Sequence, residues 1–293
     1  MHLPVLLNEV IDHLDLGSGD VTLDATLGGG GHAIEILKRI APAGTLLAIE
    51  KDPETIEITK KRLEEFEENI IYVNDDFRNI DTILKENNIE RIDGAIFDLG
   101  VSSFQLDEGR KGFSFLREGP LDMRFNTEQK LSAKVMVNSF GKEELASIIK
   151  EYGEERYSRR VAEAICSSRK IKEIETTGEL TDVIVGAVGR KYRNQKLHPA
   201  ARTFQALRIF VNDELAAVEE AVTKTIGYLS GEARICVISF HSLEDRIIKN
   251  VFRSFVRSGE LNLLTKKPIT PGREEIRQNA RSRSAKLRVA ERL

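Results

Sequence analysis

The chain has 293 residues and a mass of 33.0 kDa, with 41% hydrophobic residues, 31% charged residues and two cysteines. This composition excludes a disordered chain, a collagen-like repeat and a disulfide-rich secreted domain. The longest apolar stretches fall far short of the roughly 20 residues that cross a bilayer, and the first residues show no secretory signal. We therefore expect a cytoplasmic protein that binds no membrane and folds as one large or two modest domains.

The charge is distributed unevenly along the chain. Residues 1–108 carry a net charge of −14 and residues 109–293 carry +11, which together give the formal −3. Basic residues concentrate at 190–208, which hold six bases and no acid, and at 266–293, which hold nine bases and three acids. We expect these two segments to contact the phosphates of a polyanion. A solvated surface is the alternative that the charge pattern leaves open.

A run of glycines separates a predicted strand from a predicted helix near the start of the chain. Residues 21–27 are mostly apolar, residues 28–31 are all glycine, and apolar residues then recur with helical spacing to Ile40. Further predicted strands, alternating at first with helices, lie at 45–50, 70–73, 92–98 and 233–240. This alternation is typical of an α/β fold with a mostly parallel, doubly wound sheet.

The strand signals stop between residues 109 and 206, where helical spacing dominates. We predict a discontinuous sheet domain, residues 1–108 and 207–293, interrupted by a helical insertion, residues 109–206, that recognises the substrate. A capping box from Thr176 to Glu179 is expected to begin one helix of the insertion.

The glycine run leaves the amino terminus of a helix open to a ligand and lets the backbone approach it closely. Glu50 ends the next strand, 20 residues after Gly30, where an acid can accept hydrogen bonds from two ribose hydroxyls. A nucleotide-like cofactor is therefore predicted. A tight turn beside a surface acid is the alternative.

Two classes of cofactor fit these first elements. The segment 28–33 also satisfies the looser dinucleotide pattern, which favours a nicotinamide-dependent oxidoreductase. Acids and an aromatic residue follow the next two strands, at Asp75, Asp76, Phe77 and Asp98. Such residues suit an adenosine with a cationic sulfonium and an amino group better than a second phosphate site, so we favour S-adenosylmethionine.

Eight segments closely resemble the MraW/RsmH family, and the resemblance extends from residue 2 to the end of the chain. They are residues 2–7, 24–32, 97–107, 112–115, 119–124, 198–208, 238–246 and 281–288. Members of that family are bacterial enzymes that use S-adenosylmethionine to methylate the N4 of a cytidine in the decoding region of 16S ribosomal RNA. The resemblance implies a class I, Rossmann-like methyltransferase fold and 16S ribosomal RNA within the small subunit as partner. A cofactor-sensing RNA-binding factor that aids ribosome assembly without transferring methyl is the non-enzyme alternative.

The resemblance also assigns the cofactor contacts. They are Gly30, Gly31, His32, Glu50, Phe77, Asp98 and Gln105. The assignment of His32 and Gln105 rests on the resemblance alone. Glu50 stands where many relatives carry Asp, and the longer acid can still reach a ribose.

Methylation of the exocyclic amine of cytosine needs hydrogen-bond acceptors, because the lone pair of that nitrogen is delocalised into the ring. Many amino methyltransferases place an acceptor before Pro-Pro-aromatic at the end of the fourth strand, a pattern that is absent after Asp98. The candidate acceptors are Asp98, Ser102, Ser103 and Asp122. Turn and capping roles are the alternative for each.

The target base must be held flat, for which stacking on Phe104, Phe113 or Phe115 is a possibility and core packing the alternative. The segments that contain His198 and His241 are too specific in sequence to be ordinary solvent-exposed helix surface. They supply further candidates for substrate contact. The substrate-binding candidates are Phe113, Arg124, His198, Arg202, Gln205 and His241. For His198 and His241 a helix start is the alternative. No group of residues has convincing metal-ligand spacing, so no metal is expected.

Overall fold

The computed structural model describes residues 4–100, 111–192 and 197–293. It divides into two compact units, which we call the sheet unit (Met1–Gly100 and Leu215–Leu293) and the helical unit (Val101–Glu214). The helical unit is thus longer at both ends than the predicted insertion. Residue 207, the predicted return point, lies inside a helix whose Phe204 and Leu207 pack in the helical core. Periodicity identifies such a helix but not the core that it joins.

The sheet unit contains a seven-stranded sheet in the order β3-β2-β1-β4-β5-β7-β6. The first five strands in chain order pair in parallel, and β7 pairs antiparallel with both β5 and β6. The strands are β1 Val21–Asp24, β2 Thr45–Glu50, β3 Ile70–Asn74, β4 Ile92–Asp98, β5 Leu229–Ser239, β6 Leu261–Leu263 and β7 Lys286–Arg292. The predicted fold, an α/β unit with a mostly parallel doubly wound sheet, is confirmed.

Apolar cores cover both faces of the sheet, as β2 illustrates. Leu47 and Ile49 belong to one buried cluster, whereas Leu46 and Ala48 belong to the other. Successive side chains of a strand point to opposite faces, so a strand that is buried on both faces must be apolar without interruption. This requirement explains why β2 could be predicted from its apolar run.

The described residues form twelve α-helices. They are α1 Leu7–Leu14, α2 Gly31–Ile40, α3 Pro53–Arg62, α4 Ile80–Glu86, α5 Ala133–Ser139, α6 Lys142–Gly153, α7 Ser158–Ser168, α8 Thr177–Tyr192, α9 Ala201–Asn212, α10 Glu214–Tyr228, α11 Ser242–Arg257 and α12 Arg273–Gln278. Short 3-10 helices lie at Glu64–Asn69, Phe77–Asn79 and Ala280–Ser284. In the described part of the chain, no helix combines the length and apolar character that a bilayer span requires.

The helical unit has its own core, built from α5 to α9. The predicted capping box begins α8, because the backbone N–H of Glu179 donates to Thr176 Oγ1 over 3.2 Å and the Glu179 carboxylate accepts from the N–H of Thr176 over 3.3 Å. Leu180, Ile184 and Val188 follow on the buried face of the same helix. The cap and the apolar stripe together explain why this helix forms here.

The basic carboxyl-terminal segment differs from its interpretation as a phosphate-binding tail, because its last part is strand β7. Leu287 and Val289 are buried, and the charged residues between and beside them form ion pairs within the sheet unit. Arg288 Nε lies 2.7 Å from Asp245 Oδ1, and Lys286 Nζ lies 3.3 Å from Asp245 Oδ2. These two bases stabilise the fold, and the exposed bases before β7 stay the candidates for phosphate contact.

Candidate active site

Three acids lie at the carboxyl end of three neighbouring strands. Asp24 ends β1, Glu50 ends β2 and Asp98 ends β4, and β1 lies between the other two strands. Because parallel strands end at the same edge, these side chains share one edge of the sheet, which we call the acidic edge. Asp24 is the member that the sequence analysis did not assign to the site. Its position at the end of the strand that precedes the glycine turn was the available signal.

Thr26 connects two of these acids. Its backbone N–H donates to Asp24 Oδ1 over 3.0 Å, and its Oγ1 accepts the backbone N–H of Asp98 over 2.7 Å. Asp24 is only 2% exposed, and this burial, reinforced by the nearby Glu50 charge, raises the pKa of Asp24 to about 7. The end of β1 therefore carries a carboxyl group that changes charge near neutral pH.

The Glu50 carboxylate bridges two backbone segments. Its Oε2 accepts the N–H of Gly28 and its Oε1 accepts the N–H of Asp52, each over 3.0 Å. Burial raises the pKa of Glu50, while these two N–H donors act in the opposite direction. A carboxylate has about four acceptor positions, so Glu50 retains acceptor capacity for ribose hydroxyls.

The glycine turn is packed tightly against the rest of the sheet unit. Gly30 has a positive φ of 70°, and a Cβ there would lie 2.7 Å from Thr59 Cγ2. A Cβ on Gly31 would lie 2.9 Å from the Cβ of Pro4. The chain itself therefore requires glycine at both positions. The close approach of a ligand would be an additional reason for glycine at these two positions, and it is not needed to explain them.

His32 and Asp98 face each other across the start of α2. His32 is 6% exposed, its Nε2 lies 3.0 Å from the carbonyl oxygen of Val5, and its Nδ1 lies 3.7 Å from Asp98 Oδ2. The other carboxyl oxygen, Asp98 Oδ1, is buried and has no hydrogen-bond partner among the described residues. Burial, followed by the charges of Asp24 and Glu244, raises the pKa of Asp98 to about 8.

Phe77 begins the short 3-10 helix that follows β3, next to an ion pair. Its ring meets Phe97 edge to face with centroids 6.1 Å apart, and Lys51 Nζ lies 4.6 Å from its centroid. The same ammonium lies 2.9 Å from Asp76 Oδ2. Phe77 is partly buried against the core, which gives it a fixed orientation at the end of its strand.

His241 caps helix α11 and is engaged at its own helix start. Its Nδ1 accepts the N–H of Glu244 over 3.2 Å, and its Nε2 lies 3.2 Å from Glu244 Oε1. Glu244 is 2% exposed and its Oε2 accepts the N–H of Phe240 over 2.8 Å. These contacts match the helix-start alternative for His241. They also place a buried acid, Glu244, close enough to act on Asp98, which the sequence analysis did not anticipate.

In the helical unit, Asp122 and Arg124 bind each other through two contacts. Arg124 Nε lies 2.6 Å from Asp122 Oδ1, and Arg124 Nη2 lies 2.8 Å from Oδ2. Arg124 Nη1 also donates to the carbonyl oxygens of Thr127 and Gln129. These contacts hold residues 122–129 together as a loop, which favours the turn role over a catalytic role for Asp122.

The aromatic candidates of the helical unit differ in their surroundings. Phe113 is buried and stacks on Phe125 with centroids 5.2 Å apart, as core packing requires. Phe115 stacks on His198 with centroids 4.8 Å apart and rings inclined by 11°. The Nδ1 of His198 accepts the N–H of Ala200 over 3.2 Å, so this histidine also begins a turn.

Arg202 and Gln205, both on α9, bind carbonyl oxygens at the end of α6. Arg202 Nη1 donates to Glu154 over 3.0 Å, and Gln205 Nε2 donates to Tyr152 over 3.1 Å. Carbonyls at a helix end lack partners within the helix, so these side chains complete that end. The predicted Ser102, Ser103, Phe104 and Gln105 lie outside the described residues.

The acidic edge fits a nucleoside that carries a positive charge. The unpartnered Asp98 Oδ1 needs a donor, and the spare acceptor positions of Glu50 need hydroxyls. A second anionic group would instead meet Asp98 and the charges of Asp24 and Glu244, which lie close enough to raise the pKa of Asp98. The chemistry of this edge therefore favours a cationic cofactor over a dinucleotide phosphate.

Comparison with known proteins agrees with this chemistry. The model of the MraW methylase family matches residues 1–293. The chain is 45% identical to ribosomal RNA small subunit methyltransferase H of Finegoldia magna and 48% identical to that of Persephonella marina. The alignments cover 100% of this chain and 98% and 99% of those relatives.

Among solved structures, one described as an rRNA methylase from Clostridium thermocellum covers 100% of both chains with a TM-score of 0.52 and 11% identity. At this identity the likeness concerns the fold alone, which is the class I, Rossmann-like methyltransferase fold. S-adenosylmethionine is the cofactor, so the nicotinamide alternative is set aside. The chain belongs to the MraW methylase family.

Proposed function

We propose that the chain transfers a methyl group from S-adenosylmethionine to the exocyclic N4 of a cytidine in the decoding region of 16S ribosomal RNA. Methylation of small-subunit ribosomal RNA follows from membership of the family and from the names of the full-length relatives. The choice of N4 and of the decoding region rests on the resemblance of the eight motif segments. The observation that supports the site most strongly is the buried, unpartnered Asp98 Oδ1 at the end of β4.

Three residues at the ends of the strands would each contact a different part of the cofactor. Glu50 would hold the ribose hydroxyls, Phe77 would lie beside the adenine, and Asp98 would bind the cationic end. When bound, S-adenosylmethionine would supply a methyl group on a sulfonium whose sulfur leaves as a neutral thioether, while the methylated amine would lose one proton. Fixed acids around Asp98 favour a positive charge at this edge before any reaction occurs.

The chain must then orient the amine of the base. Transfer is an in-line displacement, so most of the rate enhancement comes from holding the nitrogen at about 3 Å from the carbon with an acceptor on its N–H groups. Asp98 is the described acceptor at the end of β4, and Ser102 and Ser103 follow it in sequence. We assign Asp122 a loop-shaping role, because both of its carboxyl oxygens bind Arg124.

A transfer assay tests this function. Purified protein is incubated with S-adenosylmethionine carrying a labelled methyl group and with unmethylated small ribosomal subunits, and the digested RNA is analysed by nucleoside mass spectrometry. We expect label in N4-methylcytidine with the wild-type chain and none with Asp98→Ala. Binding of cofactor and subunits without any label would favour the assembly-factor alternative.

A further inference from the structure

The solvent-facing side of helix α11 carries a row of bases and no acid. The bases follow one another at steps of three or four residues, which places them on one face of the helix. Lys249 is partly exposed and the other three are exposed, and the segment 246–259 contains no acid. We call these four residues the basic row, and they are Arg246, Lys249, Arg253 and Arg257.

The opposite face of α11 is packed into the sheet unit. Ile248, Val251 and Phe252 belong to the buried cluster that covers one face of the sheet. Asp245, the acid that precedes the row, is engaged by Arg288 of β7, whose Nε lies 2.7 Å from Asp245 Oδ1. The helix is thereby held by its apolar side, and its basic side is left to the solvent.

The bases of the row differ from bases on other helices of this chain. On α2, α3, α10 and α12 a base lies within 3.3 Å of an acid three or four residues away, in the pairs Lys38–Glu35, Lys60–Glu57, Lys224–Glu220 and Arg277–Glu274. Lys249, Arg253 and Arg257 form no ion pair with any described residue. Their like charges repel each other at the four-residue spacing. Pairing within the helix therefore does not explain the row.

The helix dipole explains one of these bases. A cation in the last turn of a helix interacts favourably with the carboxyl-terminal end, and Arg257 lies in that turn. The effect falls off within one turn, so it does not account for Lys249 or for Arg246. A ligand with several negative charges in line has the chemistry that the whole row fits.

The row begins near the acidic edge of the sheet. Asp98 of β4 lies opposite Ile238 of the parallel strand β5, and α11 starts at Ser242, shortly after β5 ends. From residue 246 to residue 257 the row extends over roughly 16 Å, at about 1.5 Å per residue. A strand that is bound along the row would therefore lead towards the carboxyl ends of β4 and β5.

The chemistry of α11 favours RNA over a lipid surface. Basic amphipathic helices also bind anionic membranes, but they do so by inserting their apolar face. In α11 that face is occupied by the core of the sheet unit. An RNA strand is instead a linear array of phosphates, which exposed Lys and Arg side chains bind without reference to sequence.

We propose that the basic row binds the phosphate backbone of the RNA substrate and leads the strand to the acidic edge, with Lys249, Arg253 and Arg257 each holding a phosphate. The proposal rests on the RNA substrate of the proposed function, and not on the choice of methylated atom or nucleotide. The row supplies affinity and register but no choice of sequence. It adds a surface of the sheet unit to the basic segments 190–208 and 266–293.

The salt dependence of binding tests the row. The full chain and the triple variant Lys249→Gln, Arg253→Gln and Arg257→Gln are bound to unmethylated small ribosomal subunits at several potassium chloride concentrations and constant magnesium. Each lost phosphate contact flattens the slope of log K against log salt by roughly 0.7, so the triple variant should lose about 2 from the wild-type slope. An unchanged slope would overturn the proposal.

A second triple variant, Arg39→Gln, Lys61→Gln and Lys85→Gln, is the matched control. These bases are exposed on α2, α3 and α4 of the sheet unit and form no ion pair with a described residue. The control lowers the net charge by the same amount as the first variant, and it should keep the wild-type slope. An equal flattening in both variants would assign the effect to net charge and would overturn the role of the row.

The proposed function and the role of the row can fail separately. The methylated nucleoside is identified with the wild-type chain, whereas the slope is measured without any transfer. A flattened slope together with a methyl group on another atom would overturn the proposed function and support the row. N4-methylcytidine together with an unchanged slope would do the reverse.

Directed cleavage locates the RNA without removing any charge of the row. An iron chelate is attached to Asn250→Cys, an exposed position next to the row, in a chain that also carries Cys166→Ser because Cys166 is partly exposed. Radicals from the iron should cut the 16S RNA of bound subunits, while the same chelate on Lys61→Cys should leave it intact. Intact RNA in subunits that are bound by the Asn250→Cys chain would overturn the proposal.

Discussion

Asp98 is fastened to Thr26, because its backbone N–H donates to the threonine Oγ1 over 2.7 Å. Thr26 stands two residues after β1, and its own N–H donates to Asp24 Oδ1. The ends of two adjacent strands are therefore joined through one side chain. This connection fixes the backbone of the acidic edge at Asp98.

Replacing Thr26 by Val tests that connection. The isosteric change leaves the N–H of Asp98 without its partner, which costs about 1–3 kcal/mol when such a group stays buried. We expect a loss of unfolding free energy of this size in urea and weaker binding of S-adenosylmethionine. Thr26→Ser keeps the hydroxyl and is the control. Wild-type stability and cofactor binding in Thr26→Val would show that the hydrogen bond does not matter.

Asp98→Asn should lose activity and gain stability at alkaline pH. The pKa of Asp98 in the folded chain is raised to about 8, above its ordinary value, so the folded state binds the proton more tightly than the unfolded state. The stability linked to this group is complete at low pH and is lost as the pH rises through about 8. A neutral amide removes this dependence, so the variant should be more stable than the wild-type chain at pH 8.5.

Urea unfolding at pH 5.5 and pH 8.5 measures this effect. The stability difference between Asp98→Asn and the wild-type chain should move in favour of the variant as the pH rises. Asp75→Asn, which changes an acid after β3 that binds Asn79 Nδ2, is the control and should show no such trend. A difference that is independent of pH would mean that Asp98 is already ionised in the folded chain.

Glu50→Gln should weaken cofactor binding more than it weakens the fold. An amide offers one oxygen where the carboxylate offers two, so the contacts to Gly28 and Asp52 compete with those to the ribose. Loss of one hydrogen bond to a charged group is worth about 1.5–3 kcal/mol, roughly a tenfold to hundredfold rise in Kd. Calorimetry with S-adenosylmethionine measures it. Glu50→Asp keeps the charge, and binding as weak as in Glu50→Gln would show that reach and not charge is decisive.

Reversing the charge of Arg281 and Arg283 should weaken RNA binding. Both are exposed, and they precede β7, whose own bases are engaged in ion pairs. Each lost phosphate contact should flatten the slope of log K against log salt by roughly 0.7 on single-stranded RNA. Reversal of Arg39 and Lys61, two exposed bases in the acidic part of the chain, is the control. Filter binding of RNA at several salt concentrations measures this slope. An unchanged slope in the Arg281 and Arg283 variant would exclude phosphate contacts at these two residues.

The strands that could be predicted are those whose apolar pattern lies within the strand itself. β2 and β4 have the predicted bounds. β2 is apolar from Leu46 to Ile49, as a strand that is buried on both faces must be, and β4 is apolar from Ala95 to Phe97 and ends in Asp98. β7 was missed because Lys286 and Arg288 were interpreted as phosphate ligands. Their alternation with buried Leu287 and Val289 is the two-residue period of a strand with one charged side.

The sequence predicted where residues of the candidate site lie, but it did not predict which residues lie next to each other there. The end of a strand placed Glu50 and Asp98 at one edge, whereas the neighbourhood of Asp98 and Glu244 depends on how α11 packs after β5. The sequence of one element does not show which side chains of other elements will become its neighbours in the fold. The same reason explains Arg124, whose guanidinium binds the loop around it, although its motif predicted a substrate contact.

The most direct measurement locates the methyl group in the RNA. Unmethylated small subunits are treated with the protein and S-adenosylmethionine, the 16S RNA is cut into defined fragments, and each fragment is sequenced by tandem mass spectrometry. The proposed function predicts one added methyl group, on the N4 of a cytidine in a fragment from the decoding region. A methyl group on another atom, or in a fragment outside the decoding region, would contradict it.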